Sequence, residues 1–169
     1  MKLAEKAEAE SILQALLLGC QVVGAEWYPF EFRIVFARLA PSHDQPIQHE
    51  GNPTGLDSSR QLLTIESRWA VYAARPERLP ASEEEMSQIS LAQQVAALAR
   101  LSGQVIKQVA LGDGRPHLIL DFEAGALLYI NGHDAAFECW NLTTDATAPQ
   151  QWLIVATPGD DLTIIRPAG

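Results

Sequence analysis

Three histidines stand directly beside a carboxylate, which is the pairing of side chains that metal sites use. The pairs are His43-Asp44, His49-Glu50 and His133-Asp134. A zinc ion or another divalent cation needs three or four such ligands that converge. Because the first two pairs share one stretch of chain, a small metal-assisted hydrolase that uses His43 and His49 is one hypothesis. The sequence has no HExxH motif, and solvated loop histidines are the simpler interpretation.

Nucleophilic and phosphate-binding motifs are absent from the sequence. The serines form no GxSxG motif, and the two cysteines, Cys20 and Cys139, lie in apolar stretches without a CxxC spacing. We therefore expect both cysteines to be small buried residues and not reactive thiolates. The glycines at 112 and 114 precede a strand pattern and not a helix, which indicates a hairpin turn. We expect no cofactor.

One carboxylate stands at a position where burial is expected. Glu138 precedes Trp140 by two residues, and in a strand this spacing places both side chains on the same face. If that face is inward, Glu138 needs a cationic partner such as Arg68 or Arg100. A structural ion pair is then the favoured interpretation, ahead of a role as a general acid or base.

Aromatic residues are concentrated where a turn is expected. The run Glu26-Trp27-Tyr28-Pro29-Phe30 contains three aromatic side chains, although a turn requires none. An exposed aromatic cluster is typical of a partner-binding surface, so Trp27 and Tyr28 are candidate anchors. Packing of the hairpin end is the alternative.

The charge of the chain limits the classes of partner. The sequence of 169 residues carries a net charge of −9 and is 47% hydrophobic. An acidic surface argues against binding to nucleic acid or to an anionic membrane, and it favours a basic protein partner. The N-terminal stretch lacks the pattern of a secretory signal, and we expect a cytoplasmic protein.

The positions of polar and apolar residues predict an α+β fold with mainly antiparallel sheet. We expect about two helices, over 3–18 and from a capping box at Ser82 and Glu85 to about 101, and about nine strands. Similar patterns recur in order in both halves, which predicts duplicated, pseudo-symmetric helix-plus-meander units. The units span 1–74 and 82–169, joined by a linker over 75–81, and one compact domain is an alternative. The first unit carries an inserted loop over 40–60, and the second carries an extra C-terminal hairpin.

Part of the second unit resembles a known group of proteins. The segments that carry the likeness are 103–109 (GQVIKQV), 118–127 (LILDFEAGAL) and 138–142 (ECWNL). They resemble small uncharacterised bacterial proteins, some of which are encoded near polymorphic toxin loci and are taken to be immunity proteins. The likeness covers roughly 98–142, with a fainter echo over 13–71. It implies a bacterial origin and carries no catalytic residue with it.

These observations favour a non-catalytic protein-binding module, with immunity-type neutralisation of a toxin as its most concrete form. Trp27 and Tyr28 would anchor the partner, and the acidic loop residues Asp44, Glu50 and Asp57 would face its basic surface. The metal-assisted hydrolase and a small-ligand-binding protein that uses the loop over 40–60 are the alternatives. The sequence leaves homodimerisation open.

Overall fold

The structure is a computed structural model that describes residues 3–28, 31–39, 56–144 and 151–167. Four candidate site residues, His43, Asp44, His49 and Glu50, lie outside the described residues. Asp57 falls within a strand by its backbone, so the predicted loop over 40–60 ends before residue 56. The side chain of Asp57 is not among those described.

Within the described ranges the chain forms two α-helices and ten strands, which confirms the predicted α+β class. The helices are α1 (Leu3–Leu17) and α2 (Leu91–Ala99), with a short 3₁₀ turn at Glu83–Glu85. The strands are β1 (Gln21–Trp27), β2 (Phe32–Leu39), β3 (Leu56–Ile65), β4 (Trp69–Tyr72), β5 (Ile106–Leu111), β6 (Leu118–Phe122), β7 (Leu127–Ile130), β8 (Trp140–Thr144), β9 (Leu153–Thr157) and β10 (Asp161–Ile165).

The strands form two antiparallel sheets that exchange strands. The large sheet has the order β1-β2-β3-β8-β9-β10, and the small sheet has the order β4-β7-β6-β5. Consecutive strands β3 and β4 therefore belong to different sheets, and so do β7 and β8. The first half of the chain contributes β4 to the small sheet, while the second half contributes β8 to the large one.

Strands at equivalent places in the two halves of the chain, β4 and β8, pair with their neighbours in a similar register. Trp69 of β4 stands opposite Ile130 of β7, and Trp140 of β8 stands opposite Ile65 of β3. The hairpins β1–β2 and β5–β6 each contain an irregularity of register near the start of their first strand. The duplication of pseudo-symmetric units remains a prediction, and these matched pairings support it.

The helix α1 begins and ends close to where its sequence predicts. Ala9 and Leu13 recur four residues apart on one face, both are fully buried, and they join side chains of both sheets in the main core cluster. Gly19 has φ +78°, a left-handed conformation that glycine adopts without strain and that commonly ends helices.

The helix α2 begins later than the capping box at Ser82 predicts. Ser82 makes no side-chain cap hydrogen bond, and only a 3₁₀ turn follows it. The capping box that starts α2 is formed by Ser90 and Gln93, whose side chains bond each other's backbone N–H groups. One reason is that Glu85 is engaged elsewhere: its carboxylate accepts hydrogen bonds from Ala81 N and from the Arg78 guanidinium.

Two local sequence patterns do not form what they indicate, because strand pairing is decided over long distances. The apolar pattern over 62–73 is typical of one continuous strand, but the structure divides it at residues 66–68 between β3 and β4, which accounts for the tenth strand. The Asn-Gly pair at 131–132 predicts a turn between neighbouring strands, yet β7 and β8 lie in different sheets. Gly132 is buried, and a Cβ on it would stand 1.9 Å from the carbonyl oxygen of Pro116.

Candidate functional site

The aromatic residues at the β1–β2 hairpin reach the surface. Trp27 and Tyr28 are 40% and 45% exposed, at the point where β1 ends. The ring of Trp27 contacts Phe32, which in turn stacks on Trp69, with 5.2 Å between centroids in each contact. This row of rings connects the exposed surface to the core and holds Trp27 in a defined position, as a binding anchor requires.

Charged side chains fix Tyr28 from both sides. Its hydroxyl donates to the Glu26 carboxylate at 3.0 Å, and the Arg33 guanidinium lies 4.8 Å from the centre of its ring. The hydrogen bond to Glu26 raises the pKa of Tyr28, with the charge of Glu26 acting in the same direction. Arg33 is itself paired with Glu31 at 2.8 Å. The tyrosine is therefore neutral and oriented, and its hydroxyl remains at the surface.

Acidic residues converge at this same end of the large sheet. Glu31 precedes β2, Glu66 follows β3 and Glu138 precedes β8. The backbone N–H of Glu66 donates to the Cys139 carbonyl at 3.0 Å, which places these strand ends side by side. Desolvation raises the pKa of Glu66, and the carboxylates of Glu138 and Glu31 raise it further. We call these three glutamates, with Glu26, Trp27 and Tyr28, the aromatic–acidic patch.

The structure does not show the expected ion pair between Glu138 and Arg68. Glu138 is exposed and not buried beside Trp140, because its position lies before the first residue of β8. Arg68 instead pairs with Glu83, with 3.6 Å between its Nε and the carboxylate, and donates to the Glu83 and Met86 carbonyls.

A cleft of about 610 Å³ adjoins the patch at Glu66. It lies between the start of β4, which contributes Trp69, and the N-terminal end of α2, which contributes Ser90 and Gln94. Since β4 is the last strand of the small sheet on this side, the cleft adjoins the first residue of an edge strand.

A second cleft, of about 710 Å³, lies over the other end of the small sheet and is lined by Arg115, His117 and Tyr129, among others. Its polar groups bond one another. His117 Nδ1 accepts from Gly132 N at 2.9 Å, Tyr129 donates to the Pro80 carbonyl at 2.7 Å, and Arg115 donates to the Ala81 carbonyl at 2.8 Å. Burial lowers the pKa of His117 to about 4, and the charge of Arg115 acts in the same direction. His117 is thus a neutral structural link between loops, and this cleft offers little unpaired polar chemistry to a ligand.

The described histidines and cysteines make structural contacts, while His43 and His49 of the metal hypothesis lie outside the described residues. Among the residues that the structure describes, no group of three or more His, Cys, Asp or Glu side chains could hold a metal ion. His133 is not a solvated turn residue, since its Nδ1 lies 2.5 Å from the Asp160 carboxylate. Cys20 and Cys139 are buried as predicted, and burial raises the pKa of Cys139 to about 12.

The sequence predicts the exposed aromatic pair but not the acidic residues beside it. Asp44 and Glu50 lie outside the described residues, while nothing in the sequence pattern marks Glu31, Glu66 and Glu138 as a group. The available signal is that each lies within two residues of the end of a strand, but only the sheet order brings these strand ends together.

In the described part of the chain, neither helix has the length and apolar character needed to cross a membrane. Comparisons with protein-family models, curated proteins and solved structures found no match for this chain.

Proposed function

We propose that this chain is a non-catalytic module that binds a basic partner protein through the aromatic–acidic patch. The observation that carries the proposal is the exposure of Trp27 and Tyr28 beside the converging carboxylates of Glu31, Glu66 and Glu138. Large aromatic side chains at a fixed position supply most of the binding energy in many interfaces. The surrounding negative charge would steer a basic partner and speed its association.

Immunity-type neutralisation of a bacterial toxin in the cytoplasm is the most concrete form of this function. The net charge of −9 supports it, since enzymes that act on nucleic acids present basic surfaces that an acidic inhibitor can cover. The resemblance over 98–142 supports it as well. Asp44, Glu50 and Asp57 remain candidate contributors to the same acidic surface.

The test is a capture experiment with matched baits. We would immobilise the wild-type protein, the double variant Trp27→Ser/Tyr28→Ser, and Ile165→Ser as the control. Ile165 is 52% exposed and lies on β10, at the opposite edge of the large sheet from β1. Each bait would meet a lysate of the bacterium that encodes the protein, at low and at high salt.

The expected result is a basic protein that wild type and Ile165→Ser retain at low salt and that the double variant loses. That protein should be toxic when produced alone, and co-production of this chain should relieve the toxicity. Equal retention by all three baits would exclude the aromatic–acidic patch as the binding surface. A partner that binds through the patch but is harmless would leave protein binding standing and remove the immunity role.

A further inference from the structure

Strand β4 presents an unpaired backbone edge to the cleft beside it. Asn131 N donates to the Arg68 carbonyl at 2.9 Å, which sets the phase of the hydrogen bonds between β4 and β7. Because hydrogen-bonded and non-hydrogen-bonded residue pairs alternate along an antiparallel ladder, Ala70 bonds β7 while the N–H and C=O groups of Trp69 and Val71 point away from it. Within the ranges that the structure describes, no hydrogen bond satisfies these outward groups.

In the large sheet, the equivalent strand β8 has a neighbouring strand on this side. Strand β8 stands against β3 as β4 stands against β7, with Trp140 opposite Ile65. On its other side β8 is covered by β9, whose Ala156 and Ile154 stand opposite Trp140 and Leu142. In the large sheet, therefore, the five-residue strand β9 pairs with the outer edge of β8. In the small sheet no strand of the described residues takes the corresponding place, and β4 is the last strand.

The carboxylate of Glu83 occupies the position that the first carbonyl of such a strand would take. Cys139 N donates to the Ala156 carbonyl of β9 at 3.0 Å. At the matching position, just before β4, Arg68 N donates to a carboxylate oxygen of Glu83 at 2.9 Å. Glu83 therefore satisfies this donor, and the cleft of about 610 Å³ begins beside it and reaches Trp69 at the start of β4.

The charges around this edge favour a basic occupant. The guanidinium of Arg68 and the carboxylate of Glu83 form an ion pair and largely cancel each other. Glu66, which also lines the cleft, has no such cation beside it among the described ion pairs, and the carboxylates of Glu138 and Glu31 act with desolvation to raise its pKa. A second copy of the chain would bring a further net charge of −9 and its own Glu66 to the contact, which disfavours self-pairing.

We infer that β4 is a docking edge to which a partner protein adds an extended, basic segment as a fifth strand of the small sheet. The segment would exchange backbone hydrogen bonds with Trp69 and Val71, and its basic side chains would face Glu66. This inference deepens the proposed function and rests on it. Strand addition obtains affinity from main-chain hydrogen bonds and specificity from alternate side chains.

The probe that tests the edge directly is a synthetic peptide that copies β9. It carries the sequence of Leu153–Thr157 with one lysine at each end and a fluorescent label. One derivative has N-methyl groups at the positions of Ile154 and Ala156, whose backbone faces β8 in the native sheet. The other has them at the positions of Leu153 and Val155, whose backbone faces β10.

We expect the parent peptide and the second derivative to bind the full chain with similar affinity, and the first to bind at least about tenfold more weakly, because two hydrogen bonds are lost. Val71→Pro should weaken the parent peptide comparably, because proline lacks the outward N–H and is tolerated on an edge strand. Val71→Thr keeps the N–H and is the matched control. Glu66→Gln should weaken binding several-fold at low salt, whereas Glu77→Gln, at an exposed site away from the cleft, should not.

Several outcomes overturn the inference. Equal binding of both N-methylated derivatives would exclude pairing through one backbone face, and this measurement does not depend on whether Val71→Pro folds. Dimerisation of the wild type that Val71→Pro abolishes would assign the edge to a second copy. If a captured partner is lost by Trp27→Ser/Tyr28→Ser but retained by a folded Val71→Pro, the proposed function stands and the docking edge fails. If the peptide results are as expected but the double variant still captures its partner, the patch fails and the edge stands.

Discussion

Replacement of Trp140 by phenylalanine should destabilise the protein more than the same change at Trp69. The two tryptophans stand at corresponding positions, each opposite an isoleucine of the neighbouring strand. They differ in what the indole N–H contacts. Trp140 Nε1 donates to the Pro116 carbonyl at 2.8 Å in a fully buried setting. For Trp69, no acceptor exists among the described residues.

The magnitude follows from two contributions. In Trp140→Phe the buried carbonyl of Pro116 loses its donor, which costs about 1–3 kcal/mol. The smaller ring also leaves part of a buried site unfilled, and the lost apolar burial with the resulting void costs about 1–2 kcal/mol. Trp69→Phe incurs only the second cost, because Trp69 has no such acceptor and remains 7% exposed. We therefore expect a loss of about 3 kcal/mol at Trp140 and about 1 kcal/mol at Trp69.

Urea denaturation followed by far-UV circular dichroism measures both losses, since the signal does not depend on which tryptophan is changed. The slope of the free energy of unfolding against urea should be the same in both variants if the extent of unfolding is unchanged. Equal losses in the two variants, or a larger loss at Trp69, would refute the assigned role of the hydrogen bond to Pro116.

Three further predictions concern other described sites. Gly132→Ala should lower the free energy of unfolding by more than about 3 kcal/mol, or prevent folding, because overpacking against fixed backbone is costly. Gly125→Ala is the control: φ is +92° but nothing lies within 4 Å, so it should cost only about 1 kcal/mol. Thermal melts of the two variants measure the difference. Cys139, whose pKa is raised to about 12, should resist alkylation at pH 8 in the native protein and react in denaturant; fast native labelling would contradict its burial. Because the folded pKa of His117 is about 4 against an ordinary 6.5, its neutral form supports folding above pH 6.5 and this support is lost as the pH falls towards 4. Between pH 7 and pH 5 the free energy of unfolding should fall about 2 kcal/mol less in His117→Gln than in wild type, and parallel urea titrations would show it.

Local features of the fold can be predicted because their causes are local. The end of α1 at Gly19 depends on the conformational freedom of one residue, and the hairpin between β1 and β2 depends on its own turn. The predicted start of α2 is wrong because two capping boxes compete over 82–93, and the contacts of Glu83 and Glu85 with distant residues favour the second. Sequence periodicity contains no record of those contacts.

In the candidate site, too, one part can be predicted from the sequence and another part cannot. The exposure of Trp27 and Tyr28 follows from the number of aromatic residues in a short turn region, and the sequence predicts it. The grouping of Glu31, Glu66 and Glu138 does not follow from the sequence, because these residues are up to 107 positions apart in the chain and meet only through the order of the strands.

By itself the sequence determined the α+β class, the course of α1, most strand positions, and the burial of both cysteines. Each of these follows from side-chain size, polarity and spacing along the chain. Only the tertiary structure decided that the chain divides at 66–68, so that β4 joins the small sheet while β8 joins the large one. The alternation of a strand specifies which face is buried but not which strand lies beside it. Strand partners are chosen by packing over long sequence separations, and that choice also leaves β4 with one neighbouring strand among the described residues.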